Sequence, residues 1–478
     1  MTDNRKIYSR RPMKSLKAKG HSFAQVDQWK LSDLLNCTWK HNCQYPNAKI
    51  ETIYLAGSLA QMSREWVKEP LTNGWKFATF YVHKHRAPVY YNTVVGVDNP
   101  EPLNKIAVKL ISHREGWFPD CEDQVTACEA WKALREKWKS ETDIPLLSTP
   151  SKTGQALLWE HLPKGHQFPA LPAEVEKVIR ANSTQHRKED FAAYDWLSDD
   201  DELYQYDGRW MYAALATLDR LPVGEPVELL PGEGFKEFQP GWYYAAVVIP
   251  NDWNHIGLLP MLTNDGWEWP ARAGGQFEGW FCEPELTLAM QNGWHIAVTM
   301  GWKFAKGCPL REWAKKLIKM RERLEHSETG FHFGGGELVN HFSYARMAPR
   351  QILNHTIGSL YARGYEREEF VGDDNWMKWL IKHPDIVERQ DVERAEGGYI
   401  VPCYVPDSSL LSINMPHWAA TTWSLERAFV AKAALKCDGK DGRPGPEVLV
   451  KINGDAIYAT KELPIKDNGN LGQLRRKV

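Results

Sequence analysis

The sequence predicts an α/β fold of the α+β type, in which a mixed, largely antiparallel sheet carries acidic residues at its strand ends and helices pack against it. Three segments predict it. Tyr206-Asp207-Gly208-Arg209-Trp210-Met211-Tyr212 and Val450-Lys451-Ile452-Asn453-Gly454-Asp455-Ala456-Ile457-Tyr458 each put an aspartate at the end or turn of an apolar run. Between them, Arg350-Gln351-Ile352-Leu353-Asn354-His355-Thr356-Ile357-Gly358 reads as a helix with a basic face.

Taken in chain order, residues 202–206 predict a strand that closes on Asp207. Residues 447–452 predict a second strand, with Asn453-Gly454 as a hairpin turn ahead of Asp455. From 343 to 361, apolar and small residues recur at helical spacing, which puts Arg350 and Asn354 four apart on one face. Taken alone, such a helix more often carries a solvated arginine and a buried asparagine, and Asn-Gly-Asp alone is an ordinary turn. Their occurrence together and in this order is the signal.

Two aspartates on adjacent strands, faced by cations on a helix, suit nucleotidyl transfer. That reaction is an in-line displacement at phosphorus, assisted by two divalent ions roughly 3.5–4 Å apart. Mg²⁺ takes hard carboxylate oxygens and keeps waters and substrate phosphates in its shell, so one or two protein carboxylates suffice. Cations on the facing helix clamp the triphosphate. A glycine at position 358 lets the helix approach a base pair closely, at about 1 kcal/mol in helix propensity.

The order of these segments resembles motifs A, B and C of family B DNA polymerases, and the resemblance runs from Thr149 onward, closest to the protein-primed phage and plasmid branch. Motif A in that family is roughly Asp-x-x-Ser-Leu-Tyr-Pro. The resemblance puts Asp207 at the metal position and Tyr212 at the tyrosine that packs under the sugar and excludes a 2′-hydroxyl, while Trp210 and Ala213 depart from the pattern. Motif B, Lys-x-x-x-Asn-Ser-x-Tyr-Gly, maps its triphosphate lysine onto Arg350 and keeps Asn354 and Gly358, with Ile357 in place of the tyrosine. Arginine retains the charge and adds a fork suited to phosphate. The run 313–325 resembles the other fingers helix, with Arg321 near a second phosphate-binding cation. Motif C, Tyr-x-Asp-Thr-Asp-Ser, becomes Lys451-Ile452-Asn453-Gly454-Asp455-Ala456, so Asp455 keeps the main metal position and Asn453 is left as a weak ligand.

Other segments echo the same family. Residues 416–427 resemble the palm helix before motif C, Leu221-Pro222-Val223-Gly224-Glu225-Pro226 the turn after motif A, and 279–286 with Gly293-Trp294 the approach to the fingers. The charged stretch 365–399 falls where protein-primed members carry an insertion around the template. The proofreading domain has no convincing Asp-x-Glu counterpart in residues 1–120; the run 118–131 resembles its third motif, with Asp123 at the metal position and Pro119 near the place of a tyrosine. The Tyr-x-Gly-Gly linker is absent from 180–188. Residues 471–478 resemble the segment just after motif C, so the thumb and its Lys-x-Tyr are expected to be missing.

Composition sets limits. The chain has 478 residues, enough for two or three domains, and a net charge of −2, which is no signature of nucleic-acid binding. Local asymmetry exists at the ends: Arg5, Lys6, Arg10, Arg11, Lys14, Lys17 and Lys19 near the start, and Arg475, Arg476 and Lys477 at the end, suit either phosphate contact or a solvated tail. Tryptophan is abundant at 22 residues, mostly as core, with Trp302-Lys303 and Trp376-Met377-Lys378-Trp379 as candidate stacking platforms for single strands. The eight cysteines form no Cys-x-x-Cys pair, which reads as reduced cytosolic thiols, and no apolar run suits a signal peptide or a membrane span.

The expected organisation is a degenerate exonuclease-like or unrelated domain at 1–148, a junction at 146–154, and a palm with inserted helical fingers at 149–478. The resemblance implies a DNA-directed DNA polymerase acting in the cytoplasm, without proofreading, on template-primer DNA and deoxynucleoside triphosphates with Mg²⁺ or Mn²⁺. Asp207 and Asp455 hold the metals; Tyr212, Arg321, Arg350, Asn354 and Gly358 bind the nucleotide. A separate thumb, exonuclease or terminal-protein subunit is a further expected partner. The alternatives are an inactive polymerase-fold scaffold of a replication or defence complex, and an unrelated tryptophan-rich binding protein in which Asp207, Asn354 and Asp455 lie far apart.

Overall fold

The computed structural model describes residues 124–144, 146–147, 149–162, 168–169, 171–191, 203–230, 232–325, 341–361, 364–382, 393–395, 398–406, 414–436, 448–465 and 469–477. Before these it describes 7–8, 31–44, 52–55, 75–78, 89–92, 105–110 and 117–118. The basic run 5–19 apart from two of its residues, the expected exonuclease remnant at Pro119 and Asp123, and the loop 437–446 lie outside the described residues.

Two antiparallel sheets dominate. One has five strands in the order Leu474–Lys477, Tyr204–Gly208, Ala456–Ala459, Leu449–Asn453 and Lys188–Asp190. The other has four, in the order Gln276–Cys282, Gly241–Val248, His295–Gly307 and Leu221–Glu228. Strand alternation sends Tyr206, Ile452, Ile457 and Leu474 inward, where they share one apolar cluster with Val247 and Phe281 of the second sheet. Residues 221–226, expected as a turn, are the start of that sheet's edge strand. Pro222 and Pro226 are tolerated there because an edge strand has one side free of ladder bonds.

The helix Pro416–Ala434 is buried around its circumference from Pro416 to Arg427. Trp418, Ala419, Trp423 and Leu425 pack into a helical cluster, while Val430, Ala431 and Ala434 pack into the sheet cluster. That part of the helix has no exposed face for charge, yet it carries Glu426 and Arg427, 1% and 4% exposed. Arg427 is held by a forked pair with Glu285 of the helix Glu283–Gln291, Nε to Oε1 at 2.8 Å and Nη2 to Oε2 at 2.9 Å. Ser424 Oγ adds a bond to the same carboxylate at 2.7 Å. Removing one partner of such a buried pair costs about 3–5 kcal/mol.

The helix His341–Tyr361 packs against the helices Gln124–Glu141, Pro150–His161 and Arg311–Glu325. Its crossing with Pro150–His161 is close because Gly154 has no side chain: a Cβ there falls 1.8 Å from Thr356 Oγ1. Residues expected as a junction loop thus start a helix at Pro150, where Thr149 caps the Lys152 amide at 3.3 Å and proline occupies the first turn. Trp117, Trp131 and Trp138 share one hydrophobic cluster with Trp313, Leu317, Ile352 and Ile357, so this core spans the expected boundary at residue 148.

A small three-stranded sheet, Gly364–Gly372, Gly398–Pro406 and Glu393–Ala395, carries the helix Asp373–Lys382 in the region of the expected insertion. Trp376 stacks on Tyr399 at 4.0 Å and on Trp379 at 5.8 Å, and in the four-stranded sheet Trp302 stacks on Trp280 at 5.0 Å. Both candidate stacking platforms therefore already have ring faces covered within the fold.

Candidate active site

Asp207 is the fourth residue of the strand Tyr204–Gly208, and Asp455 lies in the turn joining Leu449–Asn453 to Ala456–Ala459. The register explains their meeting. Ala456 pairs with Asp207, and the Gly208 amide donates to the Asp455 carbonyl at 3.0 Å. Asn453 pairs with Ala456, so the two turn residues are Gly454 and Asp455, one place later than the sequence pattern indicates. Gly454 has a φ of 62° and Asp455 does not share that positive sign, the pattern of a type II′ hairpin turn with glycine at its first central position.

Approach of the two segments is close enough that a Cβ on Gly208 would lie 2.8 Å from Asp455 Oδ2. Burial raises the Asp455 carboxyl to about 6, and the negative charges of Asp207 and Glu426 add to the rise. Arg350 opposes the shift, which places the guanidinium of the helix His341–Tyr361 within electrostatic reach of Asp455. Asp207 is 15% exposed and already has a cation: Lys477 Nζ lies 3.2 Å from its Oδ2.

The remaining expected residues fall around this pair in different ways. Asn453 is exposed and stands in the same cross-strand row as Asp207 with Ala456 between, two strand spacings or about 9–10 Å away. Arg321 lies over the ring of Trp210, 4.4 Å from its centroid, three residues beyond Asp207. Trp210 itself takes a left-handed backbone, φ 53° and ψ 48°, at the start of the short helix Met211–Ala216. Asn354 is partly buried one turn after Arg350. A Cβ at Gly358 would meet no described atom within 4 Å, so space stands open over that face of the helix.

Tyr212 is tied down. Its hydroxyl donates to Glu426 Oε2 at 2.9 Å and lies 3.3 Å from His186 Nδ1; burial, then the Glu426 charge, pushes its phenol far above the usual range. His186, Glu426 and Lys477 were not singled out for these positions by the sequence pattern. The one available signal was Glu426-Arg427 in an otherwise apolar helical run, since charges there must be buried and partnered. The basic end of the chain was expected to contact phosphate or solvent. Arg475, Arg476 and Lys477 are exposed; Arg476 bonds Glu462 Oε1 at 3.3 Å and covers Tyr204, while Lys477 meets Asp207.

Among the described residues, no group of three or more His, Cys, Asp or Glu forms a cage for a metal ion. The donor set present is a pair of carboxylates whose mutual repulsion a divalent cation would relieve. That fits Mg²⁺, which binds through one or two carboxylates together with substrate phosphates and water, and does not fit a structural zinc or calcium site. No described helix is long and apolar enough to cross a membrane.

The family model described as DNA polymerase type B, organellar and viral, matches residues 195–331. This segment is related to type B DNA polymerases. The matched segment includes Asp207, Tyr212 and Arg321, and the fold brings Asp455 and Arg350 to it from outside the matched residues. No curated protein matches the sequence. Solved structures of phi29 DNA polymerase are similar in part. An orthorhombic crystal form shows 15% identity and a TM-score of 0.46 over 72% of this chain and 54% of that chain. A ternary complex with primer-template DNA and incoming nucleotide substrates gives 14%, 0.47, 71% and 54%. A post-translocation binary complex with primer-template DNA gives 14%, 0.48, 72% and 54%. The chain thus spans about half the length of these proteins.

Proposed function

We propose that this chain is a nucleotidyltransferase that adds deoxynucleotides to a primer on a DNA template. The observation that carries this reading is the meeting of Asp207 and Asp455, 248 positions apart in the sequence, on paired strands beside Arg350. Lys477 meets Asp207 from the exposed side and Arg350 acts on Asp455, so the acidic pair stands among cations without being closed off by them. Burial first, and the charges of Asp207 and Glu426 after it, raise Asp455 to about 6, a cost that a bound divalent cation offsets.

Asp207 and Asp455 would hold Mg²⁺ or Mn²⁺. When bound, the ions would activate the primer hydroxyl and stabilise the leaving pyrophosphate oxygen. Arg350 binds the triphosphate with a planar fork matched to phosphate oxygens, and Arg321 supplies a second cation from the neighbouring helix. Gly358 leaves room for the nascent base pair one turn beyond Asn354, and Tyr212 lies under the sugar. Asn453, exposed and two strands from Asp207, stands at the margin of the site.

A separate thumb, exonuclease or terminal-protein subunit is a further proposed partner. The test is extension of a labelled primer on a short template. The reading expects extension by the wild type with Mg²⁺ or Mn²⁺ and none by Asp207→Ala. A wild type that binds the primed template tightly and never extends it makes the protein a scaffold.

A further inference from the structure

We propose that Glu426 is the positioning residue that sets sugar selectivity, by holding Tyr212 in place; the inference rests on the polymerase reading above. Tyr212 lies in the short helix Met211–Ala216, five residues past Asp207, and a ring in a six-residue helix at the edge of a site needs an external anchor. Glu426 provides it. The carboxylate accepts the phenolic hydrogen at 2.9 Å, and its side chain is 1% exposed. The helix carrying it cannot shift, because Arg427 next in sequence is locked onto Glu285 by the forked pair and also donates to the Thr184 carbonyl.

A second contact comes from His186. His186 Nδ1 lies 3.3 Å from the hydroxyl of Tyr212 and 3.8 Å from Glu426 Oε1. His186 and Glu426 both lie against the hairpin turn that carries Asp455: a Cβ on Gly454 would be 3.6 Å from His186 Nδ1 and 3.8 Å from Glu426 Oε1. The ring of Tyr212 and the carboxylate of Asp455 thus share one support. A pocket wall that yields discriminates poorly against an added hydroxyl group, whereas a wall pinned at its far end by a buried acceptor keeps its shape when a 2′-hydroxyl presses on it. Glu426 acts through Tyr212 and touches no reacting atom.

The experiment measures single insertion of ATP against dATP, as the ratio of kcat/KM values, on a primed template with Mg²⁺. Variants of the full chain are Tyr212→Phe, Glu426→Ala, Glu426→Gln and the double variant Tyr212→Phe with Glu426→Ala. The ribonucleotide share should rise roughly tenfold in Tyr212→Phe and in Glu426→Ala, with no further rise in the double variant, because both remove one bond. Glu426→Gln, whose amide oxygen still accepts the phenol, recovers most of the selectivity. If Glu426→Ala fails to fold, the same cycle is run with Glu426→Leu, which fills the space and offers the phenol no acceptor. Ratios within twofold of wild type in folded Tyr212→Phe and Glu426→Ala, or effects that multiply in the double variant, overturn the proposal alone. A wild type that inserts neither nucleotide overturns the polymerase reading, and the proposal with it.

Discussion

Lys477 Nζ lies 3.2 Å from Asp207 Oδ2, so the edge strand Leu474–Lys477 of the five-stranded sheet places an ammonium group against a carboxylate proposed to hold a metal ion. Lys477 is 45% exposed, which keeps the pair weak, in the range of about 0–1 kcal/mol for surface ion pairs. An ion binding to Asp207 must displace or tolerate that charge. Lys477→Ala should therefore tighten Mn²⁺ binding to the DNA-free protein by about two- to fivefold, measured by calorimetry. Unchanged affinity would mean that the lysine leaves Asp207 freely.

Asp455 gives a pH dependence with opposite signs for stability and for metal binding. Its carboxyl is raised from the usual range to about 6 in the fold, so its contribution to stability is fully present below about 4 and is lost as pH rises through 6. Asp455→Asn removes that penalty and should stabilise the protein at pH 7–8 by about 1–3 kcal/mol, the gain disappearing below pH 4. Metal binding needs the ionised form, so wild-type Mn²⁺ affinity should fall on acidification through pH 6. Thermal unfolding and metal titration across pH 4–8 check both.

Gly208, the last residue of the strand Tyr204–Gly208, leaves room for the Asp455 carboxylate. A Cβ there would lie 2.8 Å from Asp455 Oδ2 and 2.9 Å from Met211 Cε, so Gly208→Ala must push Asp455 away from Asp207. Loss of primer extension by more than tenfold is expected with a destabilisation of about 1–3 kcal/mol, followed by extension assay and urea unfolding. An active Gly208→Ala would show that the two carboxylates need not stay close.

Gly358 makes the converse test. Because a Cβ at this position meets no described atom within 4 Å, Gly358→Ala should stabilise the helix by up to about 1 kcal/mol. If the open face receives the nascent base pair, the same variant should raise KM for the incoming nucleotide several-fold. Higher stability with unaltered nucleotide kinetics would show that the base pair lies elsewhere.

The fold and site were legible to different depths, for reasons visible in particular residues. Alternation ending at Asp207 and helical spacing through Arg350 and Asn354 are local patterns, and the strand Tyr204–Gly208 and helix His341–Tyr361 follow them within a few residues. The turn at Gly454-Asp455 is one place off because pairing of Asn453 with Ala456 is a register decision, made by the facing strand and not by the Asn-Gly pair itself. Residues 221–226 carry the marks of a turn, Pro222, Gly224 and Pro226, yet form an edge strand because His295–Gly307 offers a partner that local sequence does not reveal. Glu426 and Lys477 reach the site by long-range packing from elements 219 and 270 positions beyond Asp207, a distance over which no local pattern carries information.

Primer extension tests the central claim most directly: a labelled primer on a short DNA template, Mg²⁺ or Mn²⁺, four deoxynucleotides, and wild type beside Asp207→Ala with Asp455→Ala. Templated extension by the wild type that disappears in the double variant is the predicted result. Extension that survives loss of both aspartates, or a folded wild type that binds the primed template and extends nothing, would contradict it.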